Sequence, residues 1–278
     1  MAGNMLQAHF LDVGCGNMAL IQLPDRTALL YDCNVTAENQ SRILGYLKQV
    51  LGESTHIAKF INSHRDADHM RGIELVHAQH PIDVVWDSGV TGTSTDTPEY
   101  RTYMRLRSQI GYTEIDSKKL WTFGDVVVRC LNSKDEDMSD ANDQSLVLKI
   151  EYAGNSVLLA GDTSFSPWKS TILPYYGDRV HSTILLASHH GSRTFFDDPG
   201  DERNYYVAHL KKINPDMTIV SVGPNVHDLP DNKAMELYEK YSSGSNKGNK
   251  VYSTEDKGSM RLSLKEGDGW SLTVGVDS

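Results

Sequence analysis

No apolar run in this 278-residue chain approaches the ~20 residues that a membrane-spanning helix needs, so a membrane role is not expected. Cysteine is scarce: Cys15, Cys33 and Cys130 are too scattered for a disulfide framework and fit a reducing compartment, here the cytoplasm. Cys15 and Cys33 read as small buried hydrophobes rather than ligands. The opening residues, Met1-Ala2-Gly3-Asn4-Met5, carry neither the basic nor the apolar region of a signal peptide. Basic residues are outnumbered: 27 Lys and Arg against 37 Asp and Glu leave a net charge of −10, which argues against nonspecific nucleic-acid binding. No Ser or Cys nucleophile motif is present. Histidine is missing from the whole stretch between His80 and His181.

Against these absences stands one dense segment, Ile61-Asn62-Ser63-His64-Arg65-Asp66-Ala67-Asp68-His69-Met70. Four ligand-type side chains fall within six positions, directly after an apolar run that reads as a β-strand. A strand ending in a tight loop puts two imidazoles and two carboxylates at one sheet rim, where they can hold one or two divalent cations. Two further apolar runs end the same way, one on Gly161-Asp162-Thr163 and one on Ser188-His189-His190-Gly191. A lone Asp after a strand is usually a turn or capping residue. Three such clusters in one chain point instead to a shared metal centre, with Asp162 suited to bridge two ions.

The length suits one α/β domain spanning residues 1–278. Strands are predicted at 7–13, 18–22, 28–32, 57–63, 84–87, 126–132, 145–152, 156–160, 183–188, 217–222, 260–265 and 270–274. Helices are predicted at 39–51, 98–110, 201–213 and 231–241. Strand-rich halves with interposed helices imply an αββα sandwich, two mixed sheets with helices outside and ligands at one edge. Residues 133–143 read as a solvated acidic approach to the site, and 242–250 as a flexible loop. In the predicted helix 98–110, Arg101 and Arg105 share a face near Tyr100 and Tyr103. That pattern is either an ordinary amphipathic surface or a phosphate- and base-contacting lid.

The order strand-His64-x-Asp66-x-Asp68-His69, then Gly161-Asp162, then a strand-end His, resembles the metallo-β-lactamase fold hydrolases. More narrowly it is similar to the ComEC-type soluble hydrolase domain of DNA uptake, which also has Asp where most of the superfamily has a second His. Phe10-Leu11-Asp12-Val13-Gly14, Tyr31-Asp32, Asn142-x-x-Ser145-Leu146-Val147-Leu148, His189-His190-Gly191-Ser192, Gly223-x-Asn225, His227, Pro230 and Thr254-x-x-x-Gly258 carry the likeness. Departures are Cys15 for a Gln, Asn17 for an Asp, and Arg71 for a Gly. The superfamily's middle His is absent, and Asn142 or Asp143 is the candidate substitute.

The resemblance implies a two-metal hydrolase. His64, Asp66, Asp162 and Asn142 or Asp143 would hold one cation; Asp68, His69, Asp162 and a later His the other. Two cations about 4 Å apart make hydroxide available near neutral pH and stabilise charge developing on a phosphoryl or acyl oxygen. His189, His190 and His227 compete for the last ligand position; His227, beside Asn225, is the expected acid for the leaving oxygen, and Asp68 is counted catalytic as well as ligating. Asp12 is expected to orient a ligand from behind. The oxygen-rich set admits Mn²⁺ as well as Zn²⁺. The leading expectation is a phosphodiesterase or nuclease acting on nucleic acid or a nucleotide, controlled by a regulatory protein partner. The alternatives are a hydrolase of a small ester, lactone, thioester or amide, and a partner-dependent, inactive metal-binding subunit.

Overall fold

Two mixed sheets face each other in the computed structural model of the protein, which describes residues 5–134, 140–198, 205–243 and 250–277. Along the chain the strands are β1 (Met5–Phe10), β2 (Ala19–Gln22), β3 (Ala28–Tyr31), β4 (Cys33–Asn34), β5 (Lys59–Ile61), β6 (Met70–Arg71), β7 (Val85–Asp87) and β8 (Tyr112–Glu114). They continue as β9 (Leu120–Phe123), β10 (Val126–Asn132), β11 (Val147–Tyr152), β12 (Asn155–Leu159), β13 (Ile184–Leu186), β14 (Met217–Val220), β15 (Val251–Ser253), β16 (Met260–Lys265) and β17 (Gly269–Val274). The helices are α1 (Gln40–Leu51), α2 (Ile73–Gln79), α3 (Pro98–Ile110), α4 (Phe165–Pro167), α5 (Leu173–Tyr176), α6 (Ala208–Ile213), α7 (Asn232–Tyr241) and α8 (Thr254–Lys257).

The first sheet runs β17-β16-β1-β2-β3-β5-β7-β8 and the second β15-β14-β13-β12-β11-β10-β9. Each is antiparallel in one half and parallel in the other: β3, β5, β7 and β8 are parallel neighbours, as are β12, β13, β14 and β15. Parallel strands covered on both faces read as unbroken apolar runs, as in the wholly buried Ile184–Leu186. The β11–β12 hairpin closes on Ala153 and Gly154, both at positive φ (51° and 76°), the geometry a two-residue turn of matching twist requires.

Three apolar layers follow. One lies between the sheets and includes Phe10, Tyr31, Leu148 and Leu186. The second packs the first sheet on the flanking helices, with Leu30, Phe60, Ile43, Val76 and Tyr103. The third does so for the second sheet, with Leu158, Leu185, Trp168, Leu210 and Tyr238. Each fully buried side chain of this size contributes about 1.5–3 kcal/mol. The layer order is the αββα sandwich expected from the sequence.

Capping explains where α3 and α7 start. Thr97 accepts from the Tyr100 amide ahead of Pro98, and Asp231 accepts from the Lys233 and Ala234 amides. Helix α6 begins only at Ala208, later than the sequence implies; residues 201–204 of that prediction lie outside the described residues. Residues 205–207 are irregular because Tyr206 pairs its amide with the Phe196 carbonyl and stacks its ring on His209. Residues 135–139 and 244–249 of the two expected loops also lie outside the described residues. Strand β8 carries no apolar alternation, its three residues all being exposed, and exists through its parallel pairing with β7. The short β4–β6 ladder ties the exit of β3 to the chain just past His69.

Candidate metal centre

The ligand-type residues collect where the parallel strands end. The segment from His64 to His69 follows β5, Asp162 follows β12, and His189 and His190 follow β13. Asp162 Oδ2 is the hub. The Nε2 atoms of His69, His190, His64 and His189 stand 3.2, 3.7, 3.8 and 3.8 Å from it. Asp68 Oδ2 lies 3.3 Å from His190 Nε2 and 3.8 Å from His69 Nε2, and Asp66 Oδ2 lies 3.8 Å from His64 Nε2. Two overlapping groups have the spacing of an ion's ligands: His64, His69 and Asp162, and Asp68, His69 and His190.

Behind these atoms the rings are locked. His69 Nδ1 donates to Asp32 Oδ2 at 2.8 Å and His190 Nδ1 donates to the Ser221 carbonyl at 3.0 Å. The Ser63 hydroxyl donates to Asp32 Oδ2 at 2.9 Å and so can accept from His64 Nδ1 at 3.0 Å. With the proton held on Nδ1 in each ring, the lone pair of Nε2 faces the centre. The Nε2 atoms of His64, His69 and His190 and Oδ1 of Asp162 are buried and complete no hydrogen bond. Buried polar atoms are almost always satisfied, so a converging set left unpaired is suited to a cation. The residues therefore fit a divalent-metal site.

Electrostatics agree with a set built around positive charge. Burial raises the cost of ionising Asp162, yet the surrounding imidazoles of His69, His190, His189 and His64 outweigh it and hold its carboxyl well below the usual range. Burial likewise opposes a charge on His69, but Asp162, Asp32 and Asp68 together push its pKa well above normal. His190 is raised the same way, against its burial, by Asp162 and Asp68. His64 goes down, through burial and then repulsion by His69. Consecutive left-handed backbone at His189 and His190 (φ 48° and 52°) is an uncommon conformation for such side chains and aims both rings at the hub.

Every metal-ligand candidate from the sequence, His64, Asp66, Asp68, His69, Asp162, His189 and His190, lies in or against this cluster. Asp143 sits at its edge: Oδ1 accepts from the Ser164 amide at 2.7 Å, and burial raises its carboxyl pKa. Asn142 Oδ1 is buried without a partner. Asn225 is placed otherwise. Its amide nitrogen donates to the Gly223 and Leu229 carbonyls, and its oxygen accepts from the His227 and Leu229 amides, so it staples its own loop. His227 lies exposed on that loop, and no ion pair or hydrogen bond among the described residues joins its ring to the cluster.

Two expectations are corrected. Asp12 does not stand behind a ligand: it neighbours Arg42 at 3.6 Å, and its amide donates to Ser259. The residue in that role is Asp32, wholly buried, which also accepts the Ser63 amide at 2.7 Å. Its signal in the sequence was a charged residue closing an apolar strand. Tyr103 is not available for base stacking, because it is fully buried with its hydroxyl on Asp87 at 2.6 Å. Cys33 is buried and Cys15 half-buried, and both are free thiols.

Comparisons with known proteins converge. The family profile described as "Metallo-beta-lactamase superfamily" matches residues 11–215. Competence protein ComA of Neisseria gonorrhoeae is 22% identical over 257 residues, 92% of this chain and 32% of its own length. ComE operon protein 3 of Bacillus subtilis is 22% identical over 208 residues, 74% of this chain and 24% of its own. The chain thus spans about a third or less of these curated relatives. Among solved structures, the metallo-beta-lactamase fold protein YhfI from Bacillus subtilis aligns with a TM-score of 0.55 at 13% identity, covering 97% of this chain and 99% of that one. The diiron beta-hydroxylase CmlA from Streptomyces venezuelae aligns at 0.57 and 16% identity, covering 95% and 55%. At these identities the two structures speak for the fold alone. Among the described residues no helix is long and apolar enough to cross a membrane.

Proposed function

The chain belongs to the metallo-beta-lactamase superfamily, and on that premise we propose that it is a two-ion phosphodiesterase acting on nucleic acid or a nucleotide. The observation that carries the hydrolase reading is the hub at Asp162, on which four imidazole nitrogens converge with three of them buried and unpaired. The choice of a phosphodiester rests on two relatives named for competence or its operon, and on the mixed carboxylate and imidazole donor set, which suits Mn²⁺ as well as Zn²⁺.

His64, Asp66 and Asp162 would hold one cation, and Asp68, His69, His190 and Asp162 the other. When bound, the pair supplies an activated water and a counter-charge for the oxygen that gains electrons. The chain's own contribution is to present those ligands without rearrangement. Asp32 keeps the His69 proton on Nδ1, Ser63 does so for His64 through its hydroxyl, and the Ser221 carbonyl does so for His190. His189 is the one cluster imidazole with an appreciably exposed side chain, at 29% against 4% or less for the other three. We assign it, ahead of His227, to proton delivery at the leaving oxygen, since it reaches both solvent and the hub.

The test is metal content of the purified full chain together with cleavage of labelled single- and double-stranded DNA in Mn²⁺, Zn²⁺ and Mg²⁺. Metal near two per chain and cleavage lost in Asp68→Ala are expected. Bound metal without cleavage of any phosphodiester, but with turnover of a lactone, ester, thioester or amide, would overturn the substrate class and keep the hydrolase.

A further inference from the structure

The end of β7 and the segment after it meet the ligand loop at three points. Asp87 is buried at the end of β7 and receives five donors. Oδ2 accepts from Arg65 Nη2 at 3.1 Å, from the Tyr103 hydroxyl at 2.6 Å and from Arg107 Nε at 2.6 Å; Oδ1 accepts from Arg107 Nη2 at 3.2 Å and the Gly89 amide at 2.9 Å. Arg65, the residue between ligands His64 and Asp66, is itself buried, so its guanidinium anchors the loop inward rather than meeting solvent. Gly92 then lies flat on the same residue: a Cβ there would stand 2.0 Å from the Arg65 carbonyl oxygen. Last, the Thr93 amide and hydroxyl both donate to Asp66 Oδ1, at 3.0 and 2.9 Å.

The contact at Asp66 has a chemical consequence. Asp66 precedes the helical turn Ala67–His69 in the capping position, yet its side chain caps nothing there. With Oδ1 taken by two donors from Thr93, only Oδ2 is left facing His64 Nε2 and the hub. We propose that Thr93, backed by the Asp87–Arg65 clamp and the close approach of Gly92, is a positioning residue. It fixes Asp66 as a one-oxygen ligand and so sets the affinity of one of the two metal positions. The inference rests on the two-ion reading of the centre and is independent of which substrate is cleaved.

Titration of the metal-free full chain with Mn²⁺ against a competing chelator tests it, comparing Thr93→Val, Thr93→Ser and wild type. Thr93→Val keeps the amide and the side-chain shape but removes the hydroxyl. One of the two dissociation constants should rise by about tenfold while the other stays within twofold. Thr93→Ser should restore it, which loss of shape alone would not. Equal weakening of both positions, or no change at either, would overturn the proposal while leaving the metal centre standing. A wild-type chain that takes up no metal would overturn both. Thermal unfolding of all three proteins, expected to agree within about 2 °C, checks that the fold is not the cause.

Discussion

His209 makes the folded chain sensitive to acid in a way that can be calculated. It is wholly buried among Phe195, Phe196, Trp168 and Tyr206, with Nε2 donating to the Phe195 carbonyl at 2.8 Å and Nδ1 without a partner. Burial lowers its pKa from 6.5 to about 3. The ring is therefore neutral in the folded chain and takes up a proton on unfolding at any pH between those values. Stability from this residue is complete above pH 6.5 and is lost as pH falls toward 3, at about 1.4 kcal/mol per unit. From pH 7.5 to 5.0 the loss is about 2 kcal/mol. In His209→Gln the amide can keep the bond to the Phe195 carbonyl and cannot titrate. Urea unfolding followed by tryptophan fluorescence at the two pH values, for both proteins, gives two differences. Terms shared by both, the metal ligands and His9 (lowered to about 4 by burial and Arg261) among them, cancel between the two. Wild type should lose about 2 kcal/mol more than the variant; equal losses would refute the buried, neutral assignment.

Three further outcomes are expected. Asp32→Asn should weaken metal binding by about 10- to 100-fold with little change in secondary structure, because the His69 ring loses the carboxyl group that holds its Nδ1 proton; metal analysis with circular dichroism checks it. Gly161→Ala should cost both stability and metal, since Gly161 has a φ of 58° and an added Cβ would meet Ser145 Cβ at 2.6 Å, directly before Asp162. Thermal unfolding and metal content unchanged from wild type would contradict that. Tyr103→Phe should destabilise the chain by about 1–3 kcal/mol in denaturant melts, because Asp87 loses a short buried donor while the two arginines stay on it.

Much of the architecture was legible along the chain. Buried strands such as β10 and β16 stand at the residues expected from apolar pattern, and α3 spans 98–110 because Thr97 and Pro98 mark its start. Helix α2 and strands β9 and β15 were not expected from the sequence, and much else that escaped notice had no periodicity to show. Two-residue strands β4 and β6, the exposed edge β8 and the broken helical run from Phe165 to Val180 take shape from neighbours rather than from their own composition. The same divide runs through the site. Ligand residues were visible because each cluster of imidazole and carboxylate closes an apolar strand. Asp32 and Asp12 could not be told apart that way, since both close the apolar runs of the opening hairpin.

The sequence by itself determined the chemistry available: which donors exist, that they end strands, and that no membrane helix or disulfide framework competes with a metal-centred reading. Only the tertiary structure decided which donors meet. Asp32, His69, Asp162 and His190 are dispersed along the chain, and they share a centre because parallel pairing places the ends of β3, β5, β12 and β13 on one rim of two facing sheets. Ring orientation is settled there too. His64, His69 and His190 point their free nitrogens inward because the neighbouring Ser63 hydroxyl, the Asp32 carboxylate and the Ser221 carbonyl hold the proton on the other side of each ring.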